Sequence, residues 1–154
     1  MFSSRHTFFR SIGAVVLALT ALVAAQGAAD ARTVLEGPIP ALVTRVIDGD
    51  TIEVRAQIWL EQEILVRVRL AGVDAPEMTA RCEPARTTAL EARALVVREV
   101  EGARVILTHI HGGKYFGRVI SRVRTPKGED LSTLLLEAGL AVPYSGGYRP
   151  PPCP

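Results

Sequence analysis

The sequence has little net charge and almost no lysine. Its 18 basic and 16 acidic side chains leave a formal net charge of +2. This balance excludes a polybasic protein that binds anions through bulk positive charge. Only Lys114 and Lys127 are lysines, and we give the resulting excess of arginine no functional weight alone. With 154 residues, the chain is long enough for one packed domain. An anion that binds to it must be bound by individually placed side chains.

No apolar run reaches the roughly 20 residues that a transmembrane helix needs. The longest run covers residues 11–25 and follows a segment with Arg5 and Arg10 but no acid. Because small residues at 29–31 suit signal peptidase, the pattern predicts a secretory signal peptide at residues 1–31. A membrane anchor is the alternative interpretation, and the short run disfavours it. We therefore expect a periplasmic or secreted protein with no stable membrane anchor after cleavage.

Cysteine is scarce, and the two cysteines are Cys82 and Cys153. They are too few for a structural zinc site, and His109 and His111 lack a matching ligand spacing. Export to an oxidising compartment favours a disulfide between them. The alternatives are two free thiols or a Cys153 that lies in a frayed tail.

The rest of the chain contains short runs typical of β-strands and two segments with the periodicity of an amphipathic helix. Gly and Pro mark a linker at residues 32–40 and a tail at 145–154, which leaves a domain at 41–144. Within it Asp48-Gly49 is expected to supply the positive φ angles of a tight hairpin turn. Predicted strands cover 41–47, 51–56, 63–70, 103–110 and 116–124, and predicted helices cover 84–100 and 131–138. This order predicts an α+β fold dominated by β: a five-stranded, partly open barrel of the OB type with two helices.

Two acidic clusters carry the chemistry, Asp48-Gly49-Asp50-Thr51 and Asp74-Ala75-Pro76-Glu77. The second strand leaves Asp50 and the third returns to Asp74, so a turn near Gln62 places the two carboxylates side by side. Such a pair needs a cation between them or a proton on one of them. Oxygen ligands without nearby Cys or His favour calcium or magnesium. Asp-Gly-Asp alone is more typical of a capped turn, and the second cluster is what favours a metal.

A charged residue and a spare carboxylate flank this expected cation. Arg69 lies on the polar face of the third strand, five residues before Asp74. Pro76 stiffens the chain and keeps Glu77 within one short turn of Asp74. A cation, an arginine and a free carboxylate together form an arrangement that hydrolyses phosphodiesters.

Four motifs, in this order along the chain, resemble those of the thermonuclease family, the staphylococcal nuclease-like proteins. The chain resembles an exported bacterial member of that family. The motifs are Val46–Thr51, Val68–Glu77, Tyr115-Phe116-Gly117-Arg118 and Glu137–Ala141. The resemblance implies a calcium-dependent endonuclease on an OB-fold barrel. It also implies cleavage of DNA and RNA with little sequence preference, which leaves products with a 3′-phosphate.

The resemblance also implies roles for individual residues. Calcium is expected at the carboxylates of Asp50 and Asp74 and at the Ala75 carbonyl. The expected catalytic residues are the carboxylate Glu77 and the phosphate-binding Arg69 and Arg118. The expected substrate contacts are Tyr115, Tyr144 and Phe116, which stands where the family usually has Tyr. Cys82 and Cys153 have no counterpart in the staphylococcal enzyme and are a candidate clamp for the tail, and we expect a monomer.

Two other functions fit part of this pattern. A non-catalytic OB-fold module could bind nucleic acid in the cell envelope, and a structural calcium site could use Asp50 and Asp74. A binding module does not need the whole catalytic set, and a structural calcium site leaves both arginines idle. The sequence therefore predicts a nuclease.

Overall fold

A computed structural model of the chain describes residues 33–149 and Cys153. The predicted signal peptide at residues 1–31 lies outside the described residues. The described elements, in chain order, are β1 Ile39–Val46, β2 Thr51–Trp59, β3 Gln62–Leu70, β4 Val73–Asp74, α1 Glu83–Val100, β5 Arg104–Gly112, β6 Arg118–Arg124, α2 Leu131–Glu137 and β7 Val142–Pro143.

Five of these strands close into a barrel in the order β1-β2-β3-β6-β5. The barrel closes because β1 has partners on both sides: Ala41 faces Ala56 of β2 and Val105 of β5, both antiparallel. The seam between β3 and β6 is parallel. The predicted five-stranded fold with two helices is confirmed, and the barrel is closed rather than partly open.

The alternation of β3 decides which side chains reach the site. Val68 and Leu70 are fully buried in the core, whereas Arg67 and Arg69 point to the outer face. Helix α1 covers the barrel with a face of mostly small side chains, on which Ala85, Ala89, Ala92 and Val96 are all buried. Such small side chains allow the helix to approach the barrel closely.

The role predicted for Gly49 is wrong. Its φ angle is not among the positive ones, so the turn does not need a left-handed residue there. A Cβ atom at Gly49 would instead lie 2.6 Å from the Cβ of Ala92 and 2.8 Å from the Cβ of Ala75. Glycine is required because helix α1 and the chain after β4 converge on this turn.

Several predicted boundaries also move. The predicted linker is partly bound to the barrel, because Leu35 pairs with Ile110 and β1 already begins at Ile39. The connection between the strands predicted at 103–110 and 116–124 moves forward, since β5 ends at Gly112 and β6 begins only at Arg118. A hydrogen bond of 3.0 Å from the Gly113 N–H to the Arg118 carbonyl closes the loop between them.

A short ribbon that the sequence did not predict joins β4 to β7, with Asp74 opposite Val142. It directs the chain that leaves α2 along the edge of the acidic cluster. Helix α2 begins at Leu131 as expected and ends at Glu137, one residue before the predicted end. Asp130 accepts hydrogen bonds from Ser132 and Thr133, and Gly139 follows with φ of 69°. Among the described helices, none is both long enough and apolar enough to cross a membrane.

Candidate active site

The acidic site is built on the turn between β1 and β2. The Asp50 N–H donates to Asp48 Oδ1 over 3.0 Å, and the Asp50 carbonyl accepts from the Leu70 N–H over 2.8 Å. These bonds fix the turn to the end of β3. The Asp50 side chain is thereby directed toward the loop that carries the second acidic cluster.

Asp50 is a buried carboxylate, with 3% of the residue exposed. Its Oδ1 accepts from Arg69 and from Thr51 Oγ1, and its Oδ2 accepts from the Ala75 N–H over 2.9 Å. Burial raises the pKa of Asp50 to about 6, although the Arg69 charge and the Ala75 hydrogen bond act in the opposite direction. Asp50 is therefore a desolvated acid whose negative charge is incompletely compensated.

Arg69 joins the two acidic clusters. Its Nη1 donates to Asp50 Oδ1, and its Nη2 donates to Asp74 Oδ1 over 2.5 Å. The hairpin turn lies at residues 60–61, just before the predicted Gln62, and the paired strands bring Asp50 and Asp74 together. The positive charge found between the two carboxylates is the guanidinium of Arg69.

Glu77 is the exposed member of the cluster. It follows Asp74 by three residues, and its side chain is 57% exposed. Because Glu77 faces solvent, its carboxylate is the one that water reaches most readily. Ala75 meets the cluster through its N–H, which binds Asp50. The calcium contact that the resemblance implies would be made by the Ala75 carbonyl, which is a different atom, and it stays a prediction.

Arg118 lies on the same outer face of the barrel but does not touch the carboxylates. Arg118 on β6 lies opposite Arg67 on β3, and Arg69 lies two residues further along β3. This offset corresponds to about 8 Å between the Cα atoms of Arg118 and Arg69. The Nε of Arg118 is buried and, among the described residues, has no hydrogen-bond partner. A buried donor without a partner is costly, so this atom is suited to an acceptor that arrives with a ligand.

The aromatic residues named from the sequence take different positions. Arg118 stacks on Tyr115 at 4.6 Å from its ring centroid, and Phe116 is fully exposed. Tyr144 and Arg69 line one groove of about 970 Å³, which also includes Lys114. This groove links the acidic site to the loop between β5 and β6.

Sequence reasoning missed Arg149. Its Nε donates to Asp74 Oδ2 over 2.6 Å, its Nη2 donates to Asp74 Oδ1, and its Nη1 donates to Glu77 Oε1 over 3.3 Å. No motif includes this residue. The predicted Cys82–Cys153 pair was the signal that could have indicated this position. Cys82 lies five residues after Glu77, so a disulfide at Cys82 brings the tail close to the acidic cluster.

The disulfide between Cys82 and Cys153 is formed, so the described chain contains no free cysteine. Cys82 is the residue that precedes helix α1 and Cys153 lies in the tail. The bridge therefore ties the tail to the helix end nearest the acidic cluster. The alternatives of two free thiols and a frayed Cys153 are wrong.

The donor atoms available for a metal are all oxygens. Within residues 33–149 and Cys153, no group of three or more His, Cys, Asp or Glu side chains is arranged to hold a metal ion. The carboxylates of Asp50 and Asp74 do converge, and one of them is desolvated. Two carboxylates and backbone oxygens suit a hard cation such as calcium, and that cation would compete with Arg69 and Arg149 for Asp74.

Comparison with known proteins places the same part of the chain in one family. The family model described as "Staphylococcal nuclease homologue" matches residues 67–152. A protein of Escherichia coli named "Uncharacterized endonuclease" is 33% identical over 111 residues, which cover 72% of this chain and 65% of that protein. A Coccidioides posadasii protein named "Probable endonuclease LCL3" is 34% identical over 83 residues, which cover 51% of this chain and 26% of that protein. The chain thus spans less than two thirds of the length of these relatives.

Proposed function

Because the chain belongs to the staphylococcal nuclease homologue family, we propose that it is an endonuclease that hydrolyses phosphodiester bonds. The observation that carries this proposal is the pairing of Asp50 and Asp74 on Arg69, with Glu77 joined to Asp74 through Arg149. On the same barrel face, the buried Arg118 Nε has no hydrogen-bond partner among the described residues. The names of the relatives, which call them endonucleases, support the same activity.

Two arginines would bind the phosphodiester. The guanidinium fork of Arg69 already bonds two anionic oxygens, and a phosphate offers oxygens of similar geometry. Arg118 supplies a buried Nε that a phosphate oxygen would satisfy. As negative charge grows on these oxygens in the transition state, both arginines stabilise it more strongly than they stabilise the substrate.

Glu77 is the proposed general base. It is the exposed carboxylate of the cluster, and it lies within one short turn of Asp74. From this position it orients a water molecule for in-line attack on phosphorus and accepts its proton. Asp50, which is buried and held by three donors, is less suited to that role.

Calcium is the proposed cofactor. Asp50, Asp74 and the carbonyl of Ala75 would hold it, since they offer oxygen ligands of the type that calcium prefers. When bound, the cation would supply charge stabilisation at the phosphate. We further propose DNA and RNA as substrates with little sequence preference, products with a 3′-phosphate, a monomeric enzyme, and export to the periplasm or medium after removal of residues 1–31.

Digestion of labelled single- and double-stranded DNA, with and without calcium, tests this function. We expect cleavage with added calcium and none in excess chelator. Glu77→Gln keeps the side-chain volume, so substrate binding should survive while turnover falls by roughly 10² to 10⁴. Full activity in chelator would exclude the calcium mechanism.

The same assay separates the enzyme from a binding module. A non-catalytic OB-fold module predicts that wild-type protein and Glu77→Gln bind oligonucleotide equally well and that neither cuts it. Wild-type protein that binds but never cleaves with calcium, across about pH 7 to 10, would decide for the module.

A further inference from the structure

Arg149 contacts two of the three carboxylates on which the proposed chemistry depends, although it lies outside every motif. Its guanidinium bonds both oxygens of Asp74 and one oxygen of Glu77. These contacts raise the pKa of Arg149, the hydrogen bond to Asp74 being the main cause. The side chain remains 38% exposed, so a ligand can still reach it from solvent.

The tail holds Arg149 in place from both sides. On the N-terminal side, β7 pairs with β4, and the Tyr144 hydroxyl donates to the Gly147 carbonyl over 3.1 Å. The Arg149 guanidinium also lies 5.8 Å from the Tyr144 ring centroid. On the C-terminal side, the Cys82–Cys153 disulfide fixes the chain four residues later. The position of Arg149 is therefore a built feature of the fold.

Arg69 gives an internal comparison. Arg69 and Arg149 donate to the same atom, Asp74 Oδ1. Two donors on one acceptor are at most about 6 Å apart, which is close enough to contact one phosphate or two neighbouring ones. Both guanidiniums are thus bound to carboxylates, and both present the fork that recognises phosphate oxygens.

Local charge gives a second argument. The three carboxylates that these two guanidiniums contact leave one negative charge uncompensated, and without Arg149 they would leave two. Asp48, in the same turn as Asp50, adds a further negative charge in both cases. The proposed substrate is a polyanion that has to approach these carboxylates. A pocket of about 530 Å³ beside Asp74, Glu77 and Arg149 has room for part of a nucleotide.

We propose that Arg149 is a third phosphate-binding arginine of this site, which binds the nucleic-acid backbone beside the scissile phosphate and is positioned by the Cys82–Cys153 bridge. This inference rests on the proposed nuclease function. The side chain turns from Asp74 and Glu77 to the incoming phosphate, and it thereby also frees these carboxylates.

Steady-state kinetics on a labelled single-stranded decanucleotide, with calcium and at several KCl concentrations, tests the proposal. For Arg149→Gln we expect KM to rise about tenfold, the usual loss for one charge-assisted hydrogen-bonded contact, while kcat changes less. The slope of log KM against log[KCl] should fall by about 0.7, which corresponds to one lost phosphate contact on a single strand. Arg149→Lys should keep the slope and lose part of the affinity.

The charge-matched control is Arg98→Gln. Arg98 lies on α1, fourteen residues after Pro84 of the pocket wall, which is about 20 Å along the helix. Its removal subtracts the same charge and should leave KM and the salt slope unchanged. If Arg149→Gln also leaves both unchanged, Arg149 is only a latch for the tail. If it lowers KM or raises kcat, Arg149 blocks the site, and either result overturns the inference.

The bridge has its own test in the double variant Cys82→Ser/Cys153→Ser. We expect KM to rise in the same direction, and Arg149→Gln to add little in this background because its position is already lost. A full tenfold effect of Arg149→Gln without the bridge would contradict positioning by the tail. Wild-type protein that does not cleave the decanucleotide overturns the proposed function itself, whereas cleavage with an indifferent Arg149 overturns only this inference.

Discussion

Asp50 carries a large electrostatic cost at this site. It is buried, it shares Arg69 with Asp74, and its own turn adds the negative charge of Asp48. These features suit a ligand for a cation better than they suit the stability of the metal-free protein.

This cost predicts how stability depends on pH. The pKa of Asp50 is 3.8 in the unfolded chain and about 6 in the folded protein, so the folded state holds the extra proton between these values. The stabilisation from this proton is fully present below about pH 4 and is lost as the pH rises through about 6. Asp50→Asn cannot titrate. We expect its unfolding free energy, relative to wild type, to increase between pH 4 and pH 7.

Urea denaturation of both proteins in chelator, at several pH values, measures this difference. The contacts that the new amide of Asp50→Asn makes change the unfolding free energy by the same amount at every pH. The part of the difference that varies with pH therefore reports the ionisation of the Asp50 carboxyl group in wild type. Asp130→Asn is the control for the same chemical change outside the acidic site, because Asp130 is the half-buried N-cap of α2 and accepts the hydrogen bonds of Ser132 and Thr133. A flat difference between Asp50→Asn and wild type would mean that burial does not raise the pKa of Asp50.

At the scale of elements, the site depends on how closely α1 approaches the turn that carries Asp50. Gly49 sits between Ala92 of the helix and Ala75 of the second acidic loop. Gly49→Ala has no room, so we expect it to destabilise the protein by about 1 to 3 kcal/mol. It should also lower nuclease activity, because Asp50 and Ala75 are pushed apart.

Gly112→Ala is the matched control for stability. Gly112 has no atom within 4 Å of an added Cβ and no positive φ, so its substitution should change stability by at most about 0.5 kcal/mol. Chemical denaturation compares the two variants. Equal stability of Gly49→Ala and Gly112→Ala would mean that the helix moves away without cost.

The barrel strands were predictable because each one carries its own alternating pattern. In β3 the alternation alone assigned Val68 to the core and Arg69 to the outer face. The ribbon of β4 and β7 has only two residues in each strand, too few to show a period, so its pairing follows from the tertiary fold. Gly49 was misread for a related reason, since its neighbours Ala75 and Ala92 are distant in sequence.

The part of the candidate site that lies on paired strands was predictable from the sequence. The register of β2 and β3 brings Asp50, Arg69 and Asp74 together, and the spacing of these residues along the chain indicates that register. Arg149 was not predictable from a pattern, because a disulfide and a short ribbon place it. Arg118 was expected to bind phosphate, and the sequence did not reveal that its guanidinium stacks on Tyr115.

At the scale of the whole molecule, the tail and the barrel are joined by one covalent link. The Cys82–Cys153 bridge has a sequence separation of 71 residues, and a loop of this size corresponds to on the order of 4 kcal/mol in the chain-entropy model. The same bridge fixes the tail segment that carries Arg149. Oxidation of the two thiols therefore affects both stability and the acidic site.

This link ties the fold to the compartment in which the protein matures. A disulfide of this kind is typical of an oxidising compartment, and the N-terminal segment has the pattern of an export signal. For the full chain expressed in a bacterium, we expect periplasmic material that begins at Arg32. Non-reducing mass analysis should find Cys82 joined to Cys153.

A variant with the apolar run of residues 11–25 interrupted by charges should remain in the cytoplasm with its two thiols open to alkylation. Periplasmic protein with both thiols freely alkylated would contradict the bridge, and an oxidised protein that keeps residues 1–31 would contradict cleavage after Ala31.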